Sequence, residues 1–142
     1  MTSQTSARNQ LVGTISAIRE GAVNAEIDIR LKGGEDLVAQ ITIPSVKNLD
    51  LAVGKPVTAL LKASWLILGT GEEAPKVSAR NRLKGSVVSV TKGAVNSEVD
   101  IELVGGDTVV ASITNVSVEA LGLKAGVTAW ALFKASAVIL AI

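Results

Sequence analysis

Gly21-Ala22-Val23-Asn24-Ala25-Glu26-Ile27-Asp28-Ile29 returns 72 residues later as Gly93-Ala94-Val95-Asn96-Ser97-Glu98-Val99-Asp100-Ile101. From Ala25 to Leu31, and from Ser97 to Leu103, the residues alternate as in a strand with one buried and one wet face. Gly33-Gly34 and Gly105-Gly106 follow as hairpin turns into second strands, Leu37–Ile43 and Val109–Thr114. A β-hairpin written twice is therefore the germ of the fold.

Extending the comparison outward at the same offset, positions 6–69 align with 78–141 without a gap, with 32 identities in 64 pairs. The chain is a tandem duplication: a first domain at 1–69, a linker at 70–77 rich in turn residues and charge, and a second domain at 78–142. The Gly69-Thr70-Gly71 run lacks the third glycine and following helix of a nucleotide-binding loop. Each unit reads as a first strand (Leu11–Ile18, Leu83–Val90), the hairpin, and two later strands. These are Val57–Lys62 with Trp65–Leu68, and Ala129–Lys134 with Ala137–Leu140. One short helix per unit is expected at Ser45–Leu51 and Ser117–Leu121, with Ser45 and Ser117 as N-caps and Gly122 closing the second. The fold class is all-β with a small helix per repeat: two tandem OB-fold-like β-barrel domains. Units this small bury too little surface alone, so apolar surface is expected to be shared between the two units and between chains.

Composition narrows function. With no Cys, His or Tyr among 142 residues, thiolate and imidazole chemistry is excluded, and catalysis would rest on carboxylates, lysines and hydroxyls. Glu26/Asp28 and Glu98/Asp100 are the only paired carboxylates of interest, and they read as the solvated face of a strand, so no enzyme and no cofactor are expected. A net charge of +1 with one Phe and two Trp argues against the alternative function of an OB-type fold, nucleic-acid binding. No apolar run approaches the ~20 residues of a spanning helix, and no secretory signal opens the chain. A cytoplasmic location without membrane contact is the expectation.

While half the pairs have drifted, a polar set is kept in both units: Ser6, Arg8 and Asn9; Asn24, Glu26 and Asp28; Thr42 and Ser45; Lys62 and Ser64, each with its counterpart at +72. Arg offers a planar fork of donors, Lys a point charge, Ser and Thr rotatable hydroxyls. The cationic and hydroxylic members, all able to donate, suit a doubly charged tetrahedral oxyanion, whose four oxygens all accept. Each residue also has a plain structural reading: Ser45 and Ser117 as caps, Asn24 and Asn96 as turn formers, Lys62 and Lys134 as strand exits. Arg8 and Arg80 can equally pair with neighbouring carboxylates. Trp65 and Trp130, which do not align with one another, read as packing.

Taken together, "SARN" before the first strand, "GAVN(A/S)E(I/V)DI", "GG", "IT" before the helix and "KAS" before an apolar strand resemble the molbindin, or Mop-like, branch of the TOBE-domain family. In its duplicated form the chain is similar to the di-Mop cytoplasmic molybdate-binding proteins. The resemblance implies a homotrimer that binds molybdate or tungstate at interfaces between domains and subunits, with molybdenum held as the oxyanion and not as a bare cation. It also implies site residues. One peripheral site would use Ser6, Arg8, Lys62, Ala63 and Ser64 with Thr114 and Ser117 of a partner domain. Its reciprocal would use Ser78, Arg80, Lys134, Ala135 and Ser136 with Thr42 and Ser45. Further sites near the three-fold axis would use the turns around Val23, Asn24, Val95 and Asn96. Val116 in place of Pro44, and Ala137 in place of Trp65, would make the two peripheral sites differ in affinity. Without helix-turn-helix or ATPase motifs, the expected role is storage, buffering or delivery of the oxyanion.

Overall fold

The structure, a computed structural model, describes residues 4–142. The first repeat forms β1 (Asn9–Glu20), β2 (Asn24–Leu31), β3 (Asp36–Thr42), α1 (Ile43–Asn48), β4 (Pro56–Leu61) and β5 (Ile67–Thr70). The second forms β6 (Asn81–Lys92), β7 (Asn96–Leu103), β8 (Thr108–Thr114), α2 (Asn115–Leu121), β9 (Thr128–Phe133) and β10 (Ile139–Ala141). Strict alternation places Ile27, Ile29 and Leu31 of β2, and Val99, Ile101 and Leu103 of β7, wholly inside. A register shift at Ser16 in β1, and at Val88 in β6, marks a bulge in each long first strand. Bulges sharpen twist and bend, and here they help curl each sheet into a half-barrel.

Two five-stranded antiparallel sheets result, in the orders β10-β4-β1-β2-β3 and β5-β9-β6-β7-β8. The last strand of each repeat therefore leaves its own sheet and completes the other's. Ile139–Ala141 pairs with Thr58–Leu60, and Ile67–Thr70 pairs with Ala129–Leu132. The sequence expected strands beginning at Trp65 and Ala137 and closing their own units. What intervenes is a 3₁₀ turn at Ala63–Trp65 and another at Ala135–Ala137. In them the Trp65 N–H donates to the Lys62 carbonyl (2.9 Å) and the Ala137 N–H to that of Lys134 (3.0 Å). Each "KAS" thus redirects the chain from one sheet toward the other.

The exchange merges two small cores. Leu66 and Leu68, and Val138 and Leu140, join one continuous apolar cluster with the inner faces of both sheets. Expected sharing of apolar surface between the units is thereby met, at roughly 1.5–3 kcal/mol per fully buried large side chain. The hairpin turns also abut: a Cβ on Gly33 would stand 2.5 Å from the Gly105 carbonyl oxygen. The repeats meet there backbone to backbone.

Both helices are capped one turn earlier than the sequence suggests. The caps are Thr42 and Thr114, whose side chains accept from the N–H of Ser45 and Ser117. Ser45 and Ser117 sit inside the first turn, their hydroxyls 2.9 Å from the capping threonine oxygens. Threonine fits the cap because it stays extended (φ −76° and −68°) while its oxygen reaches the third N–H. Gly122 ends α2 in the left-handed region at φ 64°, as expected.

Candidate functional site

Exchange of the last strands decides what the "KAS" turns face. The turn Ala135–Ala137 of the second repeat packs on β3, and Ala63–Trp65 of the first packs on β8. Ser136 consequently shares a depression of about 290 Å³ with Thr42 and Ser45 of the other repeat. Lys134 and Ser136 also line an adjoining groove of about 480 Å³ with Ala79, Trp65 and Ile139. On the reciprocal side, Ser6, Ala7 and Lys62 line a groove of about 320 Å³, again with Trp65 and Ile139. Ser136 thus meets the Thr42–Ser45 cap across the repeat boundary, whereas Ser64, Thr114 and Ser117 line none of these three depressions.

The Thr42 and Ser45 hydroxyls are bonded within the helix cap, but Lys62 and Lys134 have no counter-ion among the described residues. No carboxylate lines any of the three depressions. An ammonium kept beside hydroxyls and apolar walls, without a counter-ion, sets a positive potential that an anion relieves. Among the described residues no group of three or more acidic, His or Cys side chains is placed to hold a cation.

Arg8 and Arg80 behave otherwise. Arg8 Nη1 donates to Glu98 Oε2 at 2.5 Å, and Arg80 Nη1 to Glu26 Oε2 at 2.6 Å. The two ion pairs are reciprocal and cross from one repeat to the other, and neither guanidinium lines the three depressions. Glu26 and Asp28 are also engaged by Arg19, across the β1–β2 ladder. Arg19 forks onto Asp28 with both contacts at 2.7 Å and touches Glu26 Oε1 at 3.3 Å. These contacts lower both carboxyl pKa values, Glu26 chiefly through the Arg80 hydrogen bond and Asp28 chiefly through Arg19. Of the carboxylates expected as a solvated strand face, Glu26, Asp28 and Glu98 are thus partners of arginines.

Asn9 and Asn81, the last letters of "SARN", are buried and do what sequence reasoning missed. Asn81 donates through Nδ2 to the Val38 carbonyl and accepts at Oδ1 from the Val38 N–H, both at 2.8 Å. Asn9 does the same to Val110, at 2.9 and 2.7 Å. An amide side chain here stands in for a peptide unit and satisfies the free edges of β3 and β8 across the repeat boundary. The available signal was a buried-type position, next to an apolar strand, holding Asn twice.

The remaining candidates lie apart from the grooves. Val23 and Val95 are 70% and 69% exposed at the tips of the hairpins joining β1 to β2 and β6 to β7. Asn24 pairs with Thr42, and Asn96 with Thr114, in the strand registers, so the turns adjoin the caps. Asn24 lines a shallow depression with Arg19, Glu20, Gly21, Glu26 and Gln40. The tryptophans have different roles. Trp130 donates from Nε1 to the Gly71 carbonyl at 2.9 Å, beneath Lys84 at 5.8 Å, and so anchors the segment between repeats. Trp65 is not buried packing: it is 44% exposed and stands between two of the grooves. No described helix is long and apolar enough to cross a membrane.

Comparison with known proteins gives a consistent picture. The sequence matches the TOBE domain over residues 5–68 and again over 77–140. The chain is 46% identical over 142 residues to the molybdenum transport protein ModE of Azotobacter vinelandii, covering all of this chain and 52% of that protein. It is also 46% identical over 141 residues to the molybdenum-pterin-binding protein MopA of Rhodobacter capsulatus, covering 99% of this chain and 53% of MopA. The chain thus spans about half the length of these curated relatives. Among solved structures, the cytoplasmic molybdate-binding protein ModG, in a crystal form with molybdate bound, matches with a TM-score of 0.94 at 48% identity, over 99% of both chains. Both halves of the sequence and the whole fold agree: the chain belongs to the TOBE-domain family, as a tandem of two Mop-like repeats.

Proposed function

We propose that this chain binds molybdate without transforming it, at grooves built between its repeats, and that it accepts tungstate in the same way. The observation that carries this reading is the meeting of Ser136 of the second repeat with Thr42 and Ser45 of the first, beside an adjoining groove that Ser136 shares with Lys134, with no carboxylate lining either. A fully deprotonated tetrahedral dianion can accept from every donor in such a set, while hydrogen phosphate brings a proton that only a hydroxyl oxygen there can accept, at the cost of a donor contact. The likeness to a molybdate-bound ModG over 99% of both chains supports the same ligand.

In this reading one peripheral site takes Ser78, Arg80, Lys134, Ala135 and Ser136 with Thr42 and Ser45. Its reciprocal takes Ser6, Arg8, Lys62, Ala63 and Ser64 with Thr114 and Ser117. The exposed turns at Val23, Asn24, Val95 and Asn96 serve further sites where copies meet in a homotrimer. Domains 1–69 and 78–142, joined by 70–77, each supply walls to both peripheral sites. The role is storage, buffering or delivery of the oxyanion in the cytoplasm.

Melting curves test the reading. One occupied site at a hundredfold excess over the dissociation constant stabilises by about 2.7 kcal/mol. Molybdate and tungstate should raise the melting temperature more than sulfate, and phosphate should do least. Equal curves with and without the first two would remove the proposal, and the mass of the assembly in solution tests the trimer.

A further inference from the structure

The two arginines that leave the grooves are held by carboxylates in unlike surroundings. Glu26 is shared: Arg80 takes Oε2, and Arg19 takes Oε1 while forking onto Asp28. In the second repeat the position of Arg19 is Thr91, which faces Glu98 in the β6–β7 register as Arg19 faces Glu26. Glu98 therefore has Arg8 as its one ion-pair partner among the described residues, and Asp100 has none. If Arg80 turns from Glu26 to an incoming anion, one cation remains against two carboxylates. If Arg8 does the same, two carboxylates remain with no cation.

We propose that Arg19 makes the two oxyanion-binding ends unequal: by offsetting half the charge of Glu26 and Asp28 it frees Arg80 for an oxyanion more readily, whereas Glu98 and Asp100 retain Arg8, so the Arg80 end loads first. The inference rests on the proposed role of Arg8 and Arg80 as oxyanion ligands. Its physical content is competition. An arginine already paired with a carboxylate gives up that contact on binding, and the uncovered carboxylates repel a dianion nearby. The inequality is separate from those at Pro44/Val116 and Trp65/Ala137, since it arises on the β1–β2 and β6–β7 ladders and is electrostatic. The arginines are exposed and the carboxylates half-buried at the surface, so the effect belongs to the range of surface ion pairs, about two- to fivefold in affinity.

The Nε–Hε resonances of Arg8 and Arg80, followed by NMR as sodium molybdate is added to the full chain, report each end separately. The Arg80 midpoint is expected about two- to fivefold below that of Arg8. Thr91→Arg, at an exposed position, should lower the Arg8 midpoint and close the gap, and Arg19→Thr should raise that of Arg80. Both differences should shrink toward about 1 M salt, where the screening length falls to about 3 Å. An Arg8 midpoint unmoved in the folded Thr91→Arg chain overturns the inference while leaving molybdate binding intact. Molybdate binding seen by calorimetry without a shift of either resonance overturns the ligand role of the arginines, and this inference with it. Absence of any molybdate binding overturns the functional reading itself.

Discussion

The two repeats differ at 32 of 64 aligned positions, yet the parts by which each grips the other are the same in both. Asn9 clasps Val110 as Asn81 clasps Val38, Arg8 reaches Glu98 as Arg80 reaches Glu26, and each "KAS" turn sits on the third strand of the opposite repeat. Core positions exchange one apolar residue for another, as Leu61 for Phe133 and Ile15 for Val87, while changes of character fall outside these contacts: Arg19 against Thr91 on an outer face, Trp65 against Ala137 on a groove wall, Asp50 against Gly122 after a helix. A contact made in both directions across the repeat boundary constrains each residue in two places. A residue facing solvent or a separate partner is free to diverge.

Breaking that reciprocity should have the largest effect. Asn81→Ala leaves the Val38 N–H and carbonyl without partners, at about 1–3 kcal/mol for each unsatisfied buried group. Asn9→Ala should cost as much, and the double variant should lose the sum or more, measured by urea unfolding. If either asparagine alone proves neutral, the clasp is not symmetric. Next come the grooves. Lys134→Ala and Lys62→Ala should each lower molybdate affinity about tenfold or more, near 1.4 kcal/mol, by calorimetry. A strong effect from one lysine only would show that a single peripheral site carries binding.

Smaller effects sharpen the contrast at the helix ends. Asp50 adopts φ 51° and is the one described non-glycine residue with positive φ, at the position where the second repeat places Gly122 at φ 64°. Asp50→Gly should stabilise by a few tenths to about 1 kcal/mol, and Gly122→Ala should destabilise by about 1 kcal/mol, read from thermal midpoints. Opposite signs confirm that the same backbone shape is met with different ease. The smallest effect is the pH dependence of the Arg19 cluster. Glu26 and Asp28 have folded pKa values below their ordinary values near 4.3 and 3.9. Their contribution is therefore complete above those ordinary values and fades as pH falls through the lowered ones. Arg19→Thr should be less stable than the parent at neutral pH, with the gap closing toward pH 2. A gap constant with pH would mean that Arg19 acts through packing.

Much of the fold was legible because it is local. The alternation in Ala25–Leu31 and Ser97–Leu103, the Gly-Gly hairpins and Gly122 act within a few residues, and the 72-residue repeat exposed the duplication. The cap was misplaced by three residues because Thr and Ser both accept N–H bonds. Only backbone geometry at Thr42 shows which one lies outside the helix. Ser6, Lys62, Lys134 and Ser136 were singled out as kept cationic and hydroxylic residues, and the structure places them on grooves between repeats. Asn9, Asn81 and Arg19 went unread, since their partners lie in the other repeat or are chosen by strand register.

By itself, then, the sequence determined that this is a duplicated β unit with a short helix per copy, a small aliphatic core and a retained set of anion-compatible donors. These follow from periodicity, composition and self-alignment, which need no knowledge of distant contacts. Only the tertiary structure decided that β5 and β10 change sheets, that each "KAS" turn therefore packs on the third strand of the other repeat, and that Arg8 and Arg80 rest on carboxylates across the boundary. The reason is physical: a strand of three or four residues pairs equally well by pattern with either edge. Burial of Leu68 and Leu140 in the shared core, with the chain direction set by the 3₁₀ turns, selects the edge it joins.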